Sequence, residues 1–308
     1  MTQLTVSEVM AKVNGHQSLR RADLSCIKLA GAALDRSNFT HAYLRQADLT
    51  GASCEGSDFS KATLVLAVLS GARFDKACLR SAELTRARLE RGVFRELYAP
   101  NARFYGASLI EADLSFATLN GADLSEVVGR GVHLHQASLV RAKLARANLR
   151  DAVLTGADLT RSSCQQAIFD QAVLSKADLE AARLDGASLN AADLSRANLL
   201  NASLMQAQLR GAQLTQVQAD WADLSGGCLT HSDWQDASLL GAQLEAADLT
   251  GARLNGANLT QANLEGANLT GASLTDARVE GALFTGVRGL TVAQRTWLAQ
   301  NGALNLPA

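Results

Sequence analysis

A large apolar residue returns at almost every position ending in 4 or 9, from Leu19 to Phe284. That makes about 54 consecutive sites without a slip, of which about 47 are Leu or Phe. Two places before each, about 42 of the 54 positions are Ala. The most regular stretch carries Leu254, Leu259, Leu264, Leu269 and Leu274, read here as packing centres. Neither common element accepts a period of five. A helix turns ~100° per residue, so five residues drift by ~140° and the leucines would spiral onto every side. A straight strand alternates faces, so an odd period throws successive leucines to opposite faces. The chain must turn a corner once per repeat so that each centre points to a common axis. That is an all-β solenoid, with Ala as the second, smaller inward residue and the other three positions facing out.

The unbroken register leaves no room for an inserted loop or linker. Where a centre shrinks, its small partner grows: Leu97 precedes Ala99, Val217 precedes Ala219, and Val127 precedes Gly129. Trp234 is instead paired with small Ser232. Close packing requires such exchanges of volume, and these sites are expected to mark local bends or bulges.

The segments "ADLTGA" at Ala47–Ala52, "ADLSRANLLNASL" at Ala192–Leu204 and "ANLTQANLEGANLTGA" at Ala257–Ala272 carry an A-(D/N)-L-x-x motif that resembles the pentapeptide-repeat proteins. The resemblance covers about 270 residues and recurs in phase. It implies a right-handed, quadrilateral parallel β-helix with twenty residues per coil. About thirteen coils at the ~4.8 Å strand spacing would give a rod of roughly 60–65 Å.

A solenoid exposes an apolar coil at each end and needs caps. Thr5 and Glu8 form a capping-box pattern ahead of Val6, Val9, Met10 and Val13, with Asn14-Gly15 as the stop. Thr291 and Gln294 repeat the pattern ahead of Val292, Ala293, Trp297 and Leu298, with Asn301-Gly302 as the stop. The expected organisation is an N-terminal capping helix in 1–16, a repeat β-helix in 17–288, and a C-terminal capping or dimerisation helix in 289–308. The resemblance adds that several family members join two rods through a C-terminal helix. Trp297 and Leu298 are the candidates for such a homodimer contact.

Net charge is −1, so no global field favours nucleic acid or an anionic membrane. No apolar run reaches the ~18 residues of a membrane span, and the N-terminus lacks a signal-peptide pattern. The five cysteines are scattered, form no C-x-x-C pair, and read as reduced thiols of a cytoplasmic protein. Nothing resembles a Walker loop, a dinucleotide fingerprint or a nucleophile elbow. The chain therefore reads as non-enzymatic, with no cofactor and no metal. Asp113, Asp123, Asp158, Asp178, Asp193 and Asp248 stand just before centres, where hydrogen bonding within the coil accounts for them. A contact of His133 with Asp113, one coil earlier, is expected.

Function is then expected on the outer walls. Leu200, Trp221 beside Asp220, and Leu240 fall on successive steps of one wall, and Tyr98, Tyr105, Ile110 and Phe116 form a belt. Both are partner-binding candidates. Residues 20–103 carry 14 basic and 9 acidic side chains, a net of +5, whereas residues 211–287 carry 2 basic and 9 acidic, a net of −7. The main reading is a protein-binding scaffold without direct nucleic-acid binding. The resemblance leaves two alternatives open. One is a mimic of DNA acting on the type II topoisomerase DNA gyrase. The other is an adaptor or effector like the pentapeptide-repeat modules of secretion-associated bacterial proteins.

Overall fold

The computed structural model describes residues 4–307. By contact density the chain divides into two compact units, Met1–Asp158 and Leu159–Ala308. The same five-residue geometry builds each.

Each repeat folds round a type II turn. The carbonyl of a centre accepts the N–H three residues on, as Leu44 does from Ala47 at 3.0 Å. The third residue of that turn takes a left-handed conformation, with φ of 56° at Gln46 and 62° at Gly51. Between turns the backbone extends just long enough for one parallel bridge to the coil twenty residues later. Thus Asp23 pairs with Tyr43, Tyr43 with Thr63, and Thr63 with Glu83. In the second unit Asp193, Gln213, Asp233, Arg253 and Ser273 form one such series.

The A-(D/N)-L motif follows from where the backbone N–H groups go. In one repeat, Ala47 N bonds into its own turn, Asp48 N reaches Ile27 O, Leu49 N reaches Val68 O, and Gly51 N reaches Ser70 O. The residue after the centre, here Thr50, has no main-chain acceptor. Asp48 Oδ1 supplies one, accepting from Thr50 N at 3.0 Å and from the Thr50 hydroxyl at 2.6 Å. Asp58, Asp113, Asp123, Asp178, Asp193, Asp223, Asp233 and Asp248 serve the same N–H in their turns. An orphaned donor is costly, so the carboxylates before the centres complete the backbone.

Inside, the centres are buried, Leu254, Leu259, Leu264, Leu269 and Leu274 among them, and so are the small inner residues except Ala22, Ala32 and Ser37 near the start, which are half-buried. Each buried leucine contributes about 1.5–3 kcal/mol. In the first unit the rings of Phe39 and Phe59 stack at 4.5 Å, and the series continues through Phe74 to Phe94.

The volume exchanges appear as expected. A side-chain carbon on Gly129 would stand 2.9 Å from Leu149 and 3.3 Å from Val132, both tighter than ordinary contact, with Val127 against it at 3.5 Å. Trp234 is buried and donates through Nε1 to Ser232 Oγ at 2.7 Å, which donates onward to Leu229 O at 2.6 Å. The expected bulges are absent from the ladder. Tyr98 still bridges Thr118, Val128 bridges Asn148, and Gln218 bridges Ser238. Compensation inside one repeat leaves the backbone nothing to absorb.

Two short helices flank the repeats, α1 over Val6–Asn14 and α2 over Val292–Gln300, each entered through the expected capping box. Of the expected α1 face, Val9 is buried and Val6 is exposed. Gly15 is not left-handed; that conformation falls on His16. On α2 only Leu298 is buried, Trp297 is half-buried and Val292 is exposed, so the apolar face is narrower than expected.

Candidate functional site

The turns decide which side chains reach solvent. The left-handed residue of each turn projects from the corner, and its backbone N–H is fixed to the next coil. L-residues pay about 1–2 kcal/mol for this conformation, and bulky ones are outliers there. Most such positions hold Gly or a flexible polar residue. Leu66, Phe116 and Trp221 are large, apolar and exposed, with φ of 59°, 63° and 60°.

Trp221 is the most exposed of the three at 54%. Its N–H donates to Leu240 O at 2.8 Å. Its ring lies over Gly241, leaving no room for a side-chain carbon there. Leu200 and Leu240 are half-buried. Asp220 stands between them in the stack, accepting from the Ser238 hydroxyl and from Leu240 N. The expected Leu200–Trp221–Leu240 ladder is thus a tryptophan plate folded forward onto a glycine, with a tied carboxylate between two partly covered leucines.

In the first unit, the belt residues differ in availability. Tyr98 is 40% exposed, under the Arg80 guanidinium at 5.3 Å from its ring centre. Tyr105 is half-buried and donates to Glu126 Oε2 at 2.7 Å. Ile110 is half-buried, and Phe116 is half-exposed with its ring edge-on to His135 at 5.5 Å. Asp113 does stack on His133 in the ladder, but its carboxylate is taken by Arg95 at 2.5 Å and by Ser115 N at 3.0 Å. Burial pushes Asp113 up, yet Ser115 and Arg95 outweigh it and hold it below the usual carboxylate range.

At α2, Trp297 lines an open groove of about 420 Å³ with Ala293, Gln294 and residues 272–276. Gln294 is held at both ends: Oε1 closes the capping box and Nε2 donates to Ala272 O at 2.9 Å.

One device was missed from the sequence. Asp or Asn just after a centre reaches forward one coil and accepts from a serine eighteen residues on. Asp35 binds Ser53, Asn120 binds Ser138 and Asp170 binds Ser188, at 2.6, 2.7 and 2.5 Å. Asp185, Asp220 and Asn255 do likewise. The signal is a D/N–Ser spacing of eighteen, one coil less two residues.

Reactive chemistry is sparse. Burial pushes the Cys164 thiol up to about 12 and raises Cys54 as well, which disfavours the nucleophilic thiolate. Among the described residues no three His, Cys, Asp or Glu side chains are placed to hold a metal ion. No helix there is long and apolar enough to cross a membrane.

The family model for pentapeptide repeats matches residues 18–53, 52–91, 93–126, 107–146, 130–163, 152–190, 182–218, 220–256 and 247–286. The chain belongs to the pentapeptide-repeat family. Solved structures similar to it include HetL, a pentapeptide repeat protein involved in heterocyst differentiation regulation from the cyanobacterium Nostoc sp. strain PCC 7120. It is 28% identical over 92% of this chain and 97% of that one, at a TM-score of 0.28. A pentapeptide repeat protein of the Arabidopsis thaliana thylakoid lumen is 32% identical over 41% of this chain and 78% of that one, at 0.21. QnrB1, a plasmid-mediated fluoroquinolone resistance protein, is 20% identical over 72% of this chain and 95% of that one, at 0.37. No curated protein matches the chain.

Proposed function

We propose that this pentapeptide-repeat chain is a non-catalytic scaffold that binds another protein through its outer walls. Trp221 carries this reading. A large aromatic is held in a left-handed corner, seated on Gly241, and left 54% exposed. Strain retained at an exposed apolar residue points to use rather than packing. Leu200 and Leu240 flank it, and Tyr98, Tyr105, Ile110 and Phe116 form the second candidate surface. Each coil is read as right-handed and four-sided, which four bridging positions per twenty residues support. The unbroken register supports a single repeat domain over 17–288, with 1–16 and 289–308 as its helical ends. Five free cysteines support a reducing compartment such as the cytoplasm.

The test is affinity capture with the wild type and Trp221→Ala. Loss of a captured protein with unchanged circular dichroism supports the reading; equal recovery removes Trp221 from the interface.

The gyrase reading is weaker on electrostatic grounds. DNA presents a charge every ~1.7 Å of axis. Here Asp220, Asp223, Asp233 and Asp248 are engaged in coil hydrogen bonds. The remaining acids are interrupted by neutral residues. A secretion-associated adaptor stays within the scaffold reading, differing only in its partner.

A further inference from the structure

Three consecutive coils of the second unit bring Ser175–Lys176, Ser195–Arg196 and Thr215–Gln216 to one corner, where they line an open groove of about 400 Å³. The bridges Val173–Asp193–Gln213 on one side and Asp178–Asn198–Gln218 on the other fix their register. Lys176, Arg196 and Gln216 all take the left-handed corner conformation, with φ of 60°, 61° and 59°. Each side chain therefore leaves its coil in the same direction, at the ~4.8 Å spacing of paired strands.

Several hydroxyls at this point of other turns are occupied. Thr50, Thr250, Thr260 and Thr270 bond the preceding Asp or Asn, and Ser70 bonds Glu90. At this corner the hydroxyls of Ser175, Ser195 and Thr215 and the Lys176 ammonium have no hydrogen-bond or ion-pair partner among the described residues. Arg196 spends Nε on Gln216 Oε1 at 3.0 Å. That contact turns the Gln216 amide into a donor and leaves the far edge of the guanidinium open. The nearby carboxylates are committed to their own turns: Asp178 accepts from Glu180 N and Asn198 Nδ2, and Asp193 from Ser195 N. Two like charges thus stand one coil apart, surrounded by donors, and neither makes an ion pair among the described residues. The arrangement matches an anion with several acceptor oxygens.

We propose that this corner binds a phosphate monoester, seated between Lys176 and Arg196 with the hydroxyls of Ser195 and Thr215 donating to its oxygens. The site lies apart from the Trp221 surface and stands whether or not that surface binds a protein.

The test is calorimetric titration of the full chain at constant ionic strength with inorganic phosphate, O-phosphoserine and adenosine monophosphate. Saturable binding is expected, weakened at least tenfold in Lys176→Gln/Arg196→Gln and several-fold in Ser195→Ala/Thr215→Ala. Arg196→Lys, which keeps charge but loses the fork, should fall between. Equal affinity for phosphate and phosphoserine assigns recognition to the phosphate group; tighter binding of the nucleotide adds a contact to its base. Both cations are exposed, so circular dichroism should not change. Non-saturable binding, or equal affinity in the double charge variant, overturns the proposal.

Discussion

Trp221 and Gly241 depend on each other across one coil. The glycine holds φ of 64° and has the indole ring where a side chain would begin. Gly241→Ala therefore adds a left-handed Ala and displaces the ring, a cost of about 1–2 kcal/mol or more. Thermal unfolding should shift down by a few degrees, and tryptophan emission should move to longer wavelength. Asp48 tests the backbone role of the motif. Thr50, through its hydroxyl and then its N–H, holds the Asp48 carboxyl below the usual carboxylate range. Asp48→Ala should cost about 1 kcal/mol in denaturant unfolding, as loss of a helix cap does, whereas Asp48→Asn keeps an acceptor and should cost less. Because the folded-state value is depressed, this stability is present at neutral pH and is lost as pH falls through that depressed value. Asp75 has the opposite sign. Burial raises its carboxyl, and Oδ2 has no hydrogen-bond partner. Its penalty grows as pH rises past the ordinary carboxylate range, so Asp75→Asn should be neutral or stabilising at pH 7.

Among the elements, the coil was legible in the sequence and the ends only partly. A period of five excludes helix and straight strand, and the centres named from it are the buried residues. The carboxylates before the centres were read as coil hydrogen bonds, and Asp48 with its counterparts shows which donor they serve. The bulges expected at Ala99, Gly129 and Ala219 failed because compensation is local: Leu97, Val127 and Val217 fill the space within their own repeats. The corner Asp–Ser braces are not legible from the coil length of twenty alone, because which side chains reach across one coil less two residues depends on the turn geometry. Likewise, a left-handed corner for Trp221 follows from turn type, which period alone does not set. Helix caps were legible because capping boxes are local, but the buried face of α2 depends on what it packs against. Gln294→Ala should cost about 1–2 kcal/mol, since it loses the box and the bond to Ala272 O together. If α2 joins two copies, light scattering should give a dimer for the wild type and a monomer for Trp297→Ala. Equal masses would leave α2 as an end cap.

For the whole molecule, charge and exposed apolar surface are the properties that bear on partners. The basic N-terminal stretch is partly spent in surface pairs, such as Arg91 with Glu111 at 2.8 Å and Arg103 with Glu83 at 3.2 Å. Exposed pairs of this kind are worth ~0–1 kcal/mol, so they moderate the field more than they stabilise the fold. A supercoiling assay with purified gyrase should show neither inhibition nor protection at micromolar protein. Activity there would instead support DNA mimicry. The central claim is that a partner protein docks where Trp221 stands exposed. Quantitative affinity capture comparing wild type with Trp221→Ala measures this most directly. The expected result is a partner recovered at least tenfold less with the variant while its circular dichroism stays unchanged. Equal recovery of every captured protein by the two forms would contradict it.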